Sequence, residues 1–485
     1  MNYQTKDHFC RAISYRRTQK KKLIKKIILY TGLMILITGL CSGHSKTNRM
    51  IERINSEPNS TYQENIYIGY AEKAANWLIS IAVEVSPGVF KWPYREEESI
   101  YPVGIGSGTA GVGMFLLELY KVTQNPDYLE YAEGAGKFIG EYEFGDVDID
   151  WLSGAAGAGY YLLDLWEVTG NTYYLDLARN TGNWLIEKHY EENGGYYWKH
   201  FPEYPDIFTG WAHGAAGIGA FFARLFRETQ DGMYLEYARG AATWINSYLW
   251  ETEPGHYAWP RLTTDDHPQT TWCGGSVGII RFFLLLYDST GDIVYLDYAR
   301  GGTDWLIDAA FSEGDGCYSW SHTAERQTNF YAYCHGTPSV VHLLYEMYER
   351  TGHQQYCDYA RGGAKWLRAE ADRVYPFCFR WPHYEGGSFT TGLLIGTAGV
   401  GYSFLLSYSY EEDPSYLEYA KGAANWLISE AESTTSNGIK WGYPNENFGT
   451  FHETSLYAGT SGIGIFFLEL SQISMKQDKK ISKRR

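Results

Sequence analysis

The sequence predicts an all-α protein: an α/α toroid of seven inner and seven outer helices, built from seven helical-hairpin repeats. Three observations predict it. An aromatic amphipathic block recurs along the chain, a glycine-rich block recurs at a near-constant step, and the two alternate seven times.

The first block reads Tyr-x-x-Tyr-Ala-x-x-(Ala/Gly)-x-x-Trp-Leu and is clearest at Tyr234–Ile245, Tyr295–Leu306, Tyr356–Leu367 and Tyr416–Leu427, with altered versions around Trp77, Phe138 and Trp184. Aromatic and small residues recur at i, i+3, i+4, i+7 and i+10, the mark of a helix with one packed face. The second block is Gly-x-x-Gly-x-Gly followed by an apolar run such as Met114-Phe115-Leu116-Leu117. It has full copies at Gly108–Gly113, Gly154–Gly159, Gly214–Gly219, Gly396–Gly401 and Gly459–Gly464, and weaker ones from Gly275 and Gly336. These helices are apolar nearly all round and are expected to be the inner ones. First glycines at 108, 154, 214, 275, 336, 396 and 459 give steps of 46, 60, 61, 61, 60 and 63 residues. Helices this apolar cannot line a wide solvated concave face, so the hairpins are expected to close into a ring. No β-strand pattern precedes the glycines, so a dinucleotide loop is not the reading. They allow close backbone contact near the axis.

Composition bounds the partners. The chain has 485 residues with net charge −16, and its 43 Tyr, 17 Trp and 53 Gly point to an aromatic structure with tight backbone contacts. Residues 1–44 carry +8 and residues 475–485 carry +5, which leaves −29 on the part between them. Such a surface repels phosphate backbones and excludes nucleic acid as an expected partner. Of seven cysteines, Cys10 and Cys41 lie outside the core, and the other five do not form a disulfide framework.

Residues 1–44 read as a signal peptide or membrane anchor. Arg16, Arg17, Lys20 to Lys22, Lys25 and Lys26 precede an apolar run from Ile27 to Leu40, followed by Cys41-Ser42-Gly43. The run is short for a bilayer span of roughly 17–25 residues. The bulk of the protein is therefore expected to be extracytoplasmic, secreted or held at the membrane by this segment, with the cytoplasmic face as the alternative. Residues 45–63 read as a linker, 64–472 as the toroid and 473–485 as a basic tail.

Internal alignment exposes the chemistry. The second position before each first glycine reads Gly106, Leu152, Ala212, Cys273, Cys334, Leu394 and Tyr457; the position immediately before reads Ser107, Ser153, His213, Gly274, His335, Ile395 and Ala458. In a closed ring these positions share one mouth. Cysteine and histidine fall there only in repeats three, four and five, which are neighbours. Asp150 lies four residues before the glycine of repeat two. Cys273, Cys334 and His335 offer two thiols and an imidazole, a donor set for Zn²⁺ that leaves a fourth position open. Such a site suits ionising a substrate thiol, whose free pKa is about 8.5. His213 and Asp150 are placed to act as an acid/base pair. Two bland alternatives stand beside this: His213 as fourth ligand of a closed structural Cys₂His₂ site, and Asp150 as a helix cap. Cys317, Cys357 and Cys378 read as bystanders.

Over residues 64–472 the chain resembles the lanthionine synthetase C family, through Trp272-Cys273-Gly274, Cys334-His335-Gly336, Ala212-His213-Gly214 and Asp150-Trp151-Leu152-Ser153-Gly154. The resemblance implies a toroid with a central zinc held by Cys273, Cys334 and His335, with His213 and Asp150 as acid/base residues. It also implies Michael-type addition of a peptide cysteine thiol to dehydrated serine or threonine, which forms a thioether ring. The partners implied are a peptide or small thiol substrate and a separate dehydratase. Two departures alter backbone shape near the metal: Ser339 stands where a glycine is expected, and Gly275-Ser276-Val277 replaces a residue-Pro pattern. The alternatives are a non-catalytic zinc-dependent thiol, glutathione or peptide binder, and an extracellular α/α-toroid glycosidase, which needs two central carboxylates. Aromatic segments Tyr196-Tyr197-Trp198, Tyr257-Ala258-Trp259 and Phe379-Arg380-Trp381 either grip a peptide at the rim or pack as short strands.

Overall fold

The computed structural model describes residues 60–200, 206–325, 328–445 and 449–482. The expected signal or anchor segment, the linker up to residue 59 and residues 483–485 of the basic tail lie outside them. Among the described residues no helix is long and apolar enough to cross a membrane.

Among the described residues, fourteen helices alternate between two roles. The outer ones are α1 (Ser60–Ser80), α3 (Pro126–Glu141), α5 (Thr172–Glu187), α7 (Gly232–Asn246), α9 (Ile293–Asp308), α11 (Gln354–Ala369) and α13 (Pro414–Ser429). The inner ones are α2 (Thr109–Thr123), α4 (Ala155–Thr169), α6 (Ala215–Thr229), α8 (Ser276–Thr290), α10 (Thr337–Thr351), α12 (Thr397–Glu411) and α14 (Thr460–Ser482). Helix α1 starts inside the stretch read as linker. Helix α14 runs into the stretch read as tail, because no glycine or proline follows Gly464 to stop it. Each inner helix packs on the next, and α14 packs on α1 and α2, so the ring closes.

Local sequence explains each element. Asn125, Asn171, Asp231, Asp292 and Asp413 cap outer helices, each side chain accepting from the N–H two residues on. Inner helices are buried on every side, as in α4, where Ala155 through Leu165 are all buried. Their three glycines do three different jobs. The first backs onto its own entry loop: a Cβ on Gly214 would meet Phe208 O at 2.4 Å. The second receives an axial side chain of the preceding repeat, so a Cβ on Gly217 would meet Trp151 Cβ at 2.8 Å. The third receives an aromatic ring of the next inner helix, as Gly219 does Phe282.

Closure is written in the backbone. Gly106 N–H donates to Leu152 C=O (2.7 Å), Leu152 to Ala212 (3.0 Å) and Ala212 to Cys273 (2.8 Å). Cys334 donates to Leu394 (3.1 Å), Leu394 to Tyr457 (3.2 Å) and Tyr457 back to Gly106 (3.2 Å). These are the residues aligned as the second position before each glycine. Between repeats four and five the donor is Trp272 rather than Cys273, at 3.1 Å from Cys334 O, a one-residue slip. Beneath this ring Trp151, Trp211 and Trp272 pack against one another, with ring centroids 5.7–5.9 Å apart.

Among the described residues the helical ring carries seven antiparallel hairpins: β1 (Val83–Ser86) with β2 (Val89–Lys91), β3 (Tyr190–Glu192) with β4 (Gly195–Tyr197), β5 (Trp250–Glu253) with β6 (His256–Ala258), β7 (Phe311–Ser312) with β8 (Tyr318–Ser319), β9 (Asp372–Tyr375) with β10 (Cys378–Arg380), β11 (Ala431–Ser433) with β12 (Ile439–Trp441), and β13 (Tyr443–Asn445) with β14 (Gly449–Phe451). The aromatic segments therefore pack as strands. Their tryptophans are anchors and do not grip ligand: Trp198 and Trp381 are buried, and their indole N–H groups donate to Leu185 O and Leu367 O at the end of the preceding outer helix. The Trp381 backbone N–H also meets Thr397 Oγ1, at the start of the following inner helix (3.2 Å). The anchor thus ties the end of one helix to the start of the next.

Close backbone approach makes the axial glycines the least tolerant positions. Gly217→Ala places a Cβ 1.9 Å from Trp211 O and is expected to cost more than about 2 kcal/mol. Gly232→Ala meets nothing within 4 Å and is expected to be neutral or stabilising by up to about 1 kcal/mol. Urea unfolding of both variants checks this.

Candidate metal centre and acid/base pair

The mouth is built on the loops that enter the inner helices. Gly275 and Gly336, the N-caps of α8 and α10, have extended backbone, and the ligand candidates sit one and two residues before them. Cys273, Cys334 and His335 come together, one donor atom from each lying within 4.8 Å of the others. Cys334 is fully buried, while Cys273 and His335 are partly accessible from the mouth. All five described cysteines are free, and Cys317, Cys357 and Cys378 lie away from the cluster in a hairpin turn, α11 and β10. The two cluster thiols are unequal. The hydrogen bond from Cys334 holds the Cys273 thiol well below its ordinary value against the cost of burial, and the His335 charge adds to this. Burial pushes Cys334 well above its ordinary value.

Beside this cluster is a second one. Asp150 is completely buried, and its two oxygens are used differently. Oδ1 accepts the Ser153 backbone N–H at 2.5 Å within the entry loop; the N-cap of α4 is Gly154, so Asp150 does not cap that helix. Oδ2 faces two imidazoles, with His213 Nδ1 at 2.7 Å and His200 Nδ1 at 2.9 Å. Burial alone would raise the Asp150 carboxyl, but the His213 charge and hydrogen bonds from both rings outweigh it and hold the group far below the usual carboxylate range. Burial pulls His213 down, and the Asp150 charge more than offsets it, so the imidazole is raised above its ordinary 6.5. With Nδ1 committed to Asp150, His213 presents Nε2 to the mouth. Its side chain is a third exposed, and it groups with Asp150 and His200 rather than with the two cysteines.

His200 is one of several site residues missed in the sequence reading. The position two after each buried hairpin tryptophan reads Tyr94, His200, Arg261, His322, His383 and Tyr443, after Trp92, Trp198, Trp259, Trp320, Trp381 and Trp441. His383 Nε2 is 3.4 Å from His335 Nδ1, and the His322 ring lies 4.8 Å from the His335 ring. Burial, followed by the His335 charge, brings His322 down to about 4 and His383 to about 3. The stem of Arg261 covers Gly274, where a Cβ would meet Arg261 Cγ at 2.6 Å. This explains a glycine at a position that elsewhere holds serine, histidine, isoleucine or alanine. The sequence signal for these residues is their constant two-residue offset from a hairpin tryptophan.

Residues 135–420, more than half of the chain, match the family described as lanthionine synthetase C-like protein. The chain belongs to that family. A curated relative of this LanC-like chain, "Glutathione S-transferase LANCL1" of Danio rerio, is 28% identical over 142 residues, covering 29% of this chain and 28% of the relative. The LanC-like chain thus spans under a third of that relative's length. Among solved structures, nisin cyclase superposes with a TM-score of 0.52 at 16% identity, over 85% of this chain and 98% of the other. D-mannose isomerase superposes with a TM-score of 0.50 at 10% identity, over 85% and 98%. Both likenesses are of fold.

The raised His213 value has a stability consequence with a defined sign. The Asp150–His213 pair contributes fully below the ordinary imidazole value of 6.5, and the contribution is lost as pH rises through the higher folded value. Urea midpoints of the wild type should fall over that window more steeply than those of His213→Gln. Parallel profiles would contradict the assignment.

Proposed function

We propose that this chain is a zinc-dependent thiol-addition enzyme that joins a cysteine thiol to a dehydrated serine or threonine residue and forms a thioether. The observation that carries it is the meeting of Cys273, Cys334 and His335 from neighbouring repeats, beside an imidazole paired with a buried carboxylate. The donor set fits zinc: two thiolates balance the dication, and three protein ligands leave one position for substrate. When bound, zinc supplies the Lewis acidity that keeps a substrate thiol ionised near neutral pH.

The residues of the chain divide the remaining work. Cys273, Cys334 and His335 would hold the ion at the mouth. Sulfur adds to the β-carbon of the dehydrated residue as its C=C π bond breaks, and a proton must reach the α-carbon. His213 carries that proton on Nε2, since Asp150 fixes Nδ1. Asp150 also favours the charged imidazole before transfer. The proton released by the thiol returns to the same group and closes the cycle.

The family assignment supports a peptide as the acceptor. The dehydrated acceptor residue would be made from serine or threonine by a separate dehydratase, and the thiol is either a cysteine of the same peptide or a small thiol. Glutathione enters through the name of the curated relative. A binder without chemistry would hold the same thiol and would not depend on His213. For a glycosidase the mouth offers poor carboxylates, since Asp150 has both oxygens engaged and Glu453 is tied to Arg95 and Ser455. The basic-then-apolar order of residues 16–40 favours an extracytoplasmic location, secreted or membrane-anchored.

The purified chain is expected to carry about one zinc, lost in Cys273→Ala. His213→Gln should keep the zinc and slow thioether formation on a dehydrated cysteine peptide by roughly 10²–10⁴-fold. Metal analysis and mass-tagged alkylation of residual thiol read the two effects. A zinc-free wild type, or a fully active His213→Gln, would sink the proposal.

A further inference from the structure

The two helices that follow the ligand loops are joined by a buried ionic network. Arg281 on α8 makes a two-pronged contact with Glu346 on α10, Nε to Oε2 and Nη2 to Oε1, both at 3.0 Å. Its Nη1 is 3.3 Å from the Tyr333 hydroxyl, and its Nη2 is 3.1 Å from the ring nitrogens of His342. Tyr333 and His342 also share a short hydrogen bond. All four side chains are at most 7% exposed.

The placement of this network is specific. Counted from the first glycine, Arg281 and His342 occupy the same position of their inner helices, filled elsewhere by Met114, Tyr160, Ala220, Tyr402 and Ile465. The third glycine of the repeat is replaced by Ile280 and Val341 in these two helices alone. The ring of backbone hydrogen bonds slips by one residue at the same boundary, between Trp272 and Cys334. Tyr333 is the residue before Cys334. A side chain rooted in the helix that follows Cys273 thus grips the residue that leads into Cys334.

We propose that Arg281, with Glu346, His342 and Tyr333, forms a positioning set for the metal centre, fixing the Cys273–Cys334 separation from below. A buried ion pair is weak evidence for stability, since desolvation consumes most of its attraction. Geometry is what it supplies here. A bidentate guanidinium fixes both the distance and the rotation between α8 and α10, and the hydroxyl contact passes that constraint to the ligand loop. Outer partners that orient metal ligands typically change metal affinity by 10–100-fold when removed.

The inference rests on the zinc reading, and the test separates the two. Tyr333→Phe removes one hydroxyl and keeps the ring; Arg281→Lys keeps the charge and loses the fork. Arg224→Lys is the control, because the Arg224–Asp164 pair (2.6 Å) is as buried but joins α6 to α4, away from the ligand loops. Zinc affinity is read by chelator competition, ligand geometry by the thiolate-to-cobalt absorption of the Co²⁺-loaded protein, and stability by urea unfolding. Tyr333→Phe and Arg281→Lys should lower zinc affinity about tenfold or more and shift the cobalt spectrum, while Arg224→Lys changes only stability. Affinity and spectra within twofold of wild type in both variants would overturn the positioning role and leave the zinc reading intact. A wild type that takes up no zinc would overturn both.

Discussion

The structure depends on a ring of backbone hydrogen bonds around the axis, running through Gly106, Leu152, Ala212, Trp272-Cys273, Cys334, Leu394 and Tyr457. The loops that carry these groups are crowded by the inner helices, and a buried N–H without a partner costs as much as a lost hydrogen bond. An open arc would leave a donor at one end and an acceptor at the other. Closing the arc satisfies both, and it brings the residue just before each inner helix to a common mouth. The first glycines belong to the same constraint, since a side chain there would strike its own entry loop.

The chemistry is carried by departures from the repeat. Where the ring positions hold leucine, alanine or glycine they only pack. Where they hold cysteine and histidine, in adjacent repeats, they make a donor cluster. A second tier comes from the hairpins, six of the described seven carrying a buried tryptophan. Through His200 it reaches Asp150, and through His322 and His383 it surrounds His335. The electrostatics of the two clusters differ. Cys273 and Cys334 differ from each other because one thiol donates and the other accepts, whereas Asp150 and His213 sustain opposite charges in a buried setting.

Much of this was legible in the sequence because seven copies supply their own alignment. The helix pairs, the inner helices apolar all round, the closed ring and the register linking Cys273 to Cys334 all follow from spacing. Features that occur once, or that depend on side-chain reach, were not legible. Arg281 and Glu346 interrupt otherwise apolar helices, and only the fold brings them 3.0 Å apart. The slip at Trp272 leaves no trace in residue spacing, because Cys273 and Cys334 are separated by the usual repeat length. His200, His322 and His383 share a near-constant spacing, 14, 14 and 13 residues before Gly214, Gly336 and Gly396, but only the folded hairpins bring them against Asp150 and His335.

The packing of α14 against α1 and α2 gives the molecule no terminal repeat. An open array of hairpins needs polar caps at both ends, because each repeat buries its apolar face on its neighbours. In this ring every repeat has two neighbours, and no inner helix needs a solvated side. The cost is paid in folding order. The bond from Tyr457 to Gly106 joins residues at opposite ends of the toroid, and contacts of such long sequence separation form late. The loops bearing Cys273 and Cys334 lie in adjacent repeats near the middle of the chain. Their meeting requires only local hairpin stacking, so the donor cluster can assemble before the ring is complete.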